Sequence, residues 1–311
     1  MSSDLTAERG PDGVWRVIAD LEQAQDVDLV WHSGPTPIVA VDSEKGGVGK
    51  TALVNGLAAR AGAAGLKTLV IDLDPRATAS HELGAPTNNP DDPDEVTPPF
   101  SVNDLLYVDP SDKDPGDPTG IAADAIIPAG EGWPDSVHLL SSERALGNRE
   151  PDNTTGWENR LRLSLIGVAD RYDLVLMDLP PRAGGKLVAA ALLAATHALL
   201  PTTLDQDGYD GVKQALTTIR KVRRSNGMPA LPIIGIVRNI VGRRTNIAAM
   251  WDQRLTAEYG DLVLADAAVP GRVLRQESRT ARVPYTAGSG RDAILLGRGY
   301  TRVLNHIGKA G

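Results

Sequence analysis

Cysteine is absent from all 311 residues, which excludes disulfide staples, thiolate metal sites and cysteine nucleophiles. Also missing is any apolar run approaching the roughly 20 residues that would span a bilayer. The longest candidate, residues 187–200, is Ala-rich, contains His197 and is too short. The N-terminus is polar and acidic and lacks the positive flank and apolar core of a signal peptide, so the expectation is a cytoplasmic chain. With 41% hydrophobic residues the chain can bury a substantial core, and its length suits one α/β domain with extensions or two small domains.

What is present is sharper. The apolar run Ile38-Val39-Ala40-Val41 precedes a glycine-rich turn, Lys45-Gly46-Gly47-Val48-Gly49-Lys50-Thr51-Ala52. A strand that ends in such a turn and opens into a helix aims successive backbone N–H groups at one spot, which suits a triphosphate. In the P-loop pattern Lys50 reaches the outer phosphates and the Thr51 hydroxyl holds Mg²⁺. Lys45 is a second lysine, one more than phosphate binding needs.

The string KGGVGKT resembles the deviant Walker A motif of the ParA/MinD ATPases. The resemblance implies ATP and Mg²⁺ as ligands, a nucleotide site at residues 45–52, and a homodimer in which Lys45 crosses to the partner's nucleotide. Such a cation supplied in trans can be worth about 10³ to 10⁵ in rate, which makes hydrolysis conditional on dimerisation. The alternative for Lys45 is a solvated loop lysine. Further on, Asp72-Leu73-Asp74-Pro75-Arg76-Ala77-Thr78-Ala79-Ser80 resembles the family's second motif, DxDPQGNAS, and makes Asp74 the carboxylate that orients the attacking water. Arg76, Ala77 and Thr78 stand where the family usually has Gln, Gly and Asn, and Ser43-Glu44 replaces the usual Asn-Gln. A third apolar run, Leu174-Val175-Leu176-Met177, delivers Asp178 to a strand tip, where it fits the Walker B role of holding the magnesium shell. The lack of cysteine also excludes the iron–sulfur branch of this superfamily.

Charge is uneven. Residues 211–311 carry 17 Lys+Arg against 6 Asp+Glu, whereas the first 210 residues carry 15 against 34, so the net charge of −8 hides a basic C-terminal third. Arg220, Lys221, Arg223, Arg224, Arg243, Arg244, Arg272, Arg275, Arg279 and Arg282 read either as a phosphate-backbone footprint or as a solvated arginine-rich face. With few aromatics among them, the first reading is of nonspecific double-stranded DNA. The segment 235–246 resembles the ParA stretch whose Arg-Thr-Asn arginine contacts DNA, which implies Arg244. The segment 269–277 resembles a later arginine-bearing stretch and implies Arg272 and Arg275. By the same resemblance Asn239 and Pro270 lie near the nucleotide base.

Repeated strand–helix alternation with fully apolar strands gives the expected fold class, an α/β protein with a mostly parallel, doubly wound sheet and helices on both faces. Residues 1–36 form an N-terminal extension in which Val14, Ile18 and Leu21 mark a short amphipathic helix. Residues 37–311 form the ATPase domain. Residues 86–135 hold 12 Asp+Glu and 10 of the 22 prolines, and are expected to be mostly an irregular acidic loop around the apolar patch 102–108. The function implied is a DNA-partition ATPase associated with the nucleoid, paired with a ParB-like centromere-binding protein and with no membrane partner. The competing readings are a MinD-like membrane-associated positioning ATPase and a non-enzymatic DNA-binding regulator. The first requires a strongly apolar C-terminal amphipathic helix that residues 299–311 do not supply, and the second leaves Asp74 and the two-lysine loop without purpose.

Overall fold

A computed structural model describes all residues except 1–12, 24–25, 33, 90, 93, 110–115, 153–155, 183 and 311. The first part of the N-terminal extension and the centre of the acidic insert therefore lie outside the described residues. In chain order the elements are α1 (Gly13–Gln23), β1 (Ile38–Val41), α2 (Lys50–Ala63), β2 (Thr68–Asp72), α3 (Thr78–Glu82), α4 (Val102–Leu106), β3 (Ile126–Pro128), β4 (Val137–Leu140), α5 (Arg160–Ser164), β5 (Leu174–Asp178), α6 (Lys186–Ala194), β6 (His197–Thr202), α7 (Gln206–Ser225), β7 (Ile233–Val241), α8 (Asn246–Tyr259), β8 (Val263–Pro270), α9 (Val273–Ala281) and α10 (Arg291–Ala310).

The strands form one eight-stranded sheet in the order β3-β4-β2-β5-β1-β6-β7-β8. All neighbours are parallel except β3, which runs antiparallel along the edge. Alternate residues of the central strands feed two cores. Val39, Val41, Val70, Leu174, Leu176 and Leu199 pack in the layer with α2 and α10, whereas Ala40, Leu69, Ile71, Val175, Met177 and Leu200 pack in the layer with α5, α6 and α7. Because both faces are covered, these strands read as continuous apolar runs instead of alternating ones. The register sets Asp178 beside both Val41 and Asp72, so the tips of β1, β5 and β2 bring three aspartates, 42, 72 and 178, to one edge. Open α/β sheets place their ligands beyond this carboxyl edge.

The structure adds to the sequence reading in the acidic insert and in β7. Most described residues of the acidic insert are irregular, as expected, but the apolar patch is folded: Val102, Leu105, Leu106 and Val108 are buried, and Ser101 with Asp104 forms a reciprocal capping box on α4. The same insert supplies β3, whose Pro128 is tolerated because the strand lies at an edge. The strand β7 runs from Ile233 through Arg238 to Val241. It hides a charge there, since Arg238 is 4% exposed, ion-paired with the equally buried Asp252, and donates to the Leu264 carbonyl at 2.8 Å. Helix α1 forms where expected, packing Val14 and Val17 against Val241 and Ala268, with Leu21 also buried and Ile18 only partly covered.

Candidate functional site

The loop between β1 and α2 is shaped by Gly47 and Gly49, which adopt left-handed φ of 83° and 77°. A Cβ on Gly49 would come within 2.7 Å of Ile240 Cδ1 and 2.8 Å of the Asn239 amide, so a side chain would also force these neighbours to shift. Helix α2 begins at Lys50 with no side-chain cap. Its first N–H groups are therefore available to an anion. From β7, the Asn239 amide donates to the carbonyls of Val48 at 2.8 Å and Gly49 at 3.0 Å, which ties the loop to the sheet. The next residue, Ile240, sits at φ 55°, a strained conformation for a β-branched side chain of the kind that concentrates at functional sites.

Lys50 is 7% exposed, and its Nζ donates to the Ser43 carbonyl at 2.8 Å and the Lys45 carbonyl at 3.3 Å. Burial lowers its pKa, while the carboxylates of Asp178, Asp42 and Asp74 oppose that shift. Thr51 Oγ1 donates to Asp178 Oδ2 at 2.6 Å, and the other Asp178 oxygen is buried with no hydrogen-bond partner. Burial, with Asp72 beside it, raises the Asp178 pKa well above the usual carboxylate value. A hydroxyl and an unsatisfied carboxylate oxygen fit the shell of a hard divalent cation such as Mg²⁺, which draws its remaining ligands from phosphates and water. Among the described residues no cluster of three or more His, Cys, Asp or Glu side chains could hold a metal by itself.

Four aspartates border this edge and differ in their bonding. Asp72 is fully buried and satisfied: Oδ1 accepts from the Asp74 amide at 3.0 Å, and Oδ2 accepts from the Ser80 amide and hydroxyl, both at 2.8 Å. Burial pushes its pKa to about 7. It organises the turn into α3. Asp74 is 6% exposed and faces the cavity, and Arg76 grips its carboxylate through an ion pair of 3.0 Å. Asp42 was not singled out by the sequence reading. It is wholly buried, neither carboxylate oxygen has a hydrogen-bond partner, and burial raises its pKa to about 7. A signal was available, since Asp42 follows its apolar run just as Asp72 and Asp178 end theirs.

Beyond this edge lies a cavity of about 560 Å³, a size suited to a nucleotide. Its lining includes Gly46, Gly47, Gly49, Lys50, Thr51 and Ala52 from the loop, Asp74 and Arg76 from the segment after β2, and Arg272, Arg275 and Arg279 around α9. Pro270, buried at the end of β8, adjoins this lining. Val48 is buried beneath the loop. Lys45 is not among the lining residues. It lies along α7, where Gly211 leaves room for it, and its Nζ pairs with Asp207 at 3.2 Å.

The basic residues do not form one stripe. Arg243 and Arg244 are exposed in the loop before α8. Arg272 is held between Glu22 at 3.7 Å and Asp292 at 3.3 Å, and Arg275 reaches Asn239 Oδ1 at 3.4 Å and lies over the Tyr300 ring. Arg279 pairs with Glu82 at 2.9 Å, and Arg282 donates to the carbonyls of His81 and Ala85, so the end of α9 is bound to α3. Arg223, read from the sequence as part of a surface stripe, is instead buried and donates to the carbonyls of Leu192 and Pro229. Carbonyls at a helix end attract such a cation.

Comparison with known proteins follows the same lines. Residues 36–231 match the family described as AAA domain. The chromosome partitioning protein ParA of Myxococcus xanthus is 32% identical over 211 residues, covering 68% of this chain and 67% of that protein. Among solved structures, an McdA variant of Cyanothece in complex with ATP shares the fold with a TM-score of 0.70 at 17% identity, covering 88% of this chain and 97% of the other. Cobyrinic acid a,c-diamide synthase of Mycobacterium smegmatis, solved with an ATP analogue and magnesium, has a TM-score of 0.62 at 25% identity over 79% of this chain and 93% of its own. Among the described residues no helix is long and apolar enough to cross a membrane.

Proposed function

The chain belongs to the ParA/Soj-type partition ATPases of the AAA domain family, and from that premise we propose that it is an ATP-driven switch for DNA partition. ATP enters the cavity formed by the phosphate loop after Lys45, with Lys50 and the first amides of α2 meeting the phosphates, and by the resemblance Asn239 and Pro270 lie on the side of the base. Thr51 and Asp178 would hold Mg²⁺, which when bound neutralises charge on the outer phosphates. Asp74 orients the attacking water. Two copies then pair, each Lys45 meeting the nucleotide of its partner.

The observation that carries this reading is the divergence of the two lysines. Lys50 is drawn into its own cavity, whereas Lys45 is turned out along α7 and contributes nothing to that lining. Pairing doubles the cationic surface around Arg244, with Arg272 and Arg275 at the nucleotide edge linking occupancy to that surface. Affinity for duplex DNA rises steeply with the number of phosphates neutralised, so binding becomes ATP-gated and independent of base sequence. Hydrolysis separates the pair and releases the DNA, and a ParB-like centromere-binding protein accelerates that step. The protein then resides on the nucleoid in the cytoplasm.

Gel retardation of plain duplex DNA with ATP, with ADP and without nucleotide tests the proposal. Retardation is expected with ATP and Mg²⁺ and should persist in Asp74→Ala, which binds ATP and DNA without turnover. Retardation indifferent to nucleotide, or brisk hydrolysis by Asp74→Ala, rejects the switch as described.

A further inference from the structure

Arg76 has no counterpart in the motif that this segment resembles, where glutamine is usual, and its placement is specific. The main chain turns at Asp74-Pro75-Arg76 so that the Arg76 amide donates to Asp74 Oδ1 at 3.0 Å. The side chain then folds back on the same carboxylate, with Nε 3.4 Å from Oδ1 and 3.3 Å from Oδ2, and Nη2 3.0 Å from Oδ2. Both Asp74 oxygens therefore carry a guanidinium contact. The two partners differ in exposure: the Asp74 side chain is 8% exposed and the Arg76 side chain 69%. Both face the cavity alongside Gly46, Lys50 and Thr51.

An aspartate gripped in this way is a poor acceptor for a hydrogen bond from water. The grip is also weak, because solvent around the exposed partner screens the ion pair. A terminal phosphate carries more charge than a carboxylate and presents three oxygens to the planar fork of a guanidinium, which favours bidentate contacts. Resting on the ATPase reading above, we propose that Arg76 exchanges the Asp74 carboxylate for the terminal phosphate of bound ATP, acting in cis as a catalytic cation. The exchange does two things at once. It returns Asp74 to the water that it orients, and it sets a positive charge where negative charge shifts during transfer. In that step the water oxygen forms the new bond to the terminal phosphorus as the bond from phosphorus to the bridging oxygen breaks. The electron pair of the broken bond stays on ADP. One hydrogen of the water remains on inorganic phosphate and the other leaves to solvent as a proton. Each subunit thus brings a cation of its own to the phosphate that Lys45 of the partner completes.

The full-length protein with Arg76→Gln and Arg76→Lys tests this, with melting curves to check the fold. Steady-state hydrolysis gives kcat and KM, and binding of fluorescent ATP and ADP analogues gives the preference between them. Arg76→Gln should lower kcat at least about tenfold, since arginines placed on the transferred phosphoryl group carry large rate effects. It should also bind the ADP analogue as the wild type does while losing affinity for the ATP analogue, and Arg76→Lys should restore part of both. Hydrolysis by Arg76→Gln as fast as the wild type, or faster, overturns the exchange and leaves Arg76 as a clamp on Asp74 only. An unchanged preference between the two analogues overturns it equally. A wild-type protein that binds neither nucleotide defeats the underlying ATPase reading, a failure visible before any variant is compared.

Discussion

Replacing Asp42 with asparagine should stabilise the protein at pH 8 and lose that advantage as the pH falls. The carboxylate lies at the tip of β1 under the phosphate loop, wholly buried, with no side-chain hydrogen-bond partner, and against burial only the attraction of Lys50 and a weaker contribution from the Ser43 amide favour its charge. Burial raises its pKa from 3.8 to about 7, which corresponds to about 4 kcal/mol of destabilisation when the group is ionised. Because the folded chain holds the proton more tightly than the unfolded chain, that destabilisation is absent below pH 4, grows as the pH rises toward 7, and is constant above it. Asparagine has the same shape and no charge, but its buried amide costs about 1–3 kcal/mol for want of a partner. The net gain at pH 8 is about 1–3 kcal/mol, or on the order of 5 °C in Tm for a domain of this size. Thermal unfolding of wild type and Asp42→Asn, followed by circular dichroism from pH 5 to pH 8 without nucleotide, measures it. The two curves should separate at pH 8 and meet near pH 5. A gap that does not change with pH, or a variant that melts lower at pH 8, refutes the assignment of a buried, unpaired carboxyl.

Two further expectations concern the frame of the site. Ala77 sits at φ 51°, the left-handed region that glycine occupies without strain, so Ala77→Gly should raise stability by about 1 kcal/mol, read as a small increase in Tm. Asn239→Ala removes both hydrogen bonds that hold the Val48 and Gly49 carbonyls; it should cost about 1–3 kcal/mol and weaken ATP binding by at least about tenfold, and calorimetric titration showing wild-type affinity would remove Asn239 from loop anchoring.

The sheet and the phosphate loop were legible because their signals are local. Apolar runs bounded by glycine or aspartate mark β1, β2 and β5, and the loop glycines follow one of them directly. Thr51 and Asp74 line the cavity, and Asp178 lies buried behind Thr51, because each follows or ends a short apolar strand. What was hidden depends on tertiary partners. Arg238 disguised the second half of β7, because only Asp252 on α8 makes a buried arginine acceptable there. Arg223 looked like surface charge until its carbonyl partners at the end of α6 were in place. The acidic composition around Val102 and Ile126 masked a helix and an edge strand too short for periodicity to register. The resemblance implies DNA contact by Arg275, whereas Tyr300 and Asn239 turn it toward the cavity. The fork of Arg76 on Asp74 needs the tight turn after Pro75, which residue identity alone does not specify.

Nucleotide is expected to join two copies of the protein through Lys45. Sedimentation of the full-length protein with a non-cleavable ATP analogue and Mg²⁺ tests it most directly. A dimer is expected with the analogue and a monomer with ADP, and Lys45→Ala should remain monomeric while still binding the analogue. A wild-type protein that stays monomeric when saturated with the analogue contradicts the account.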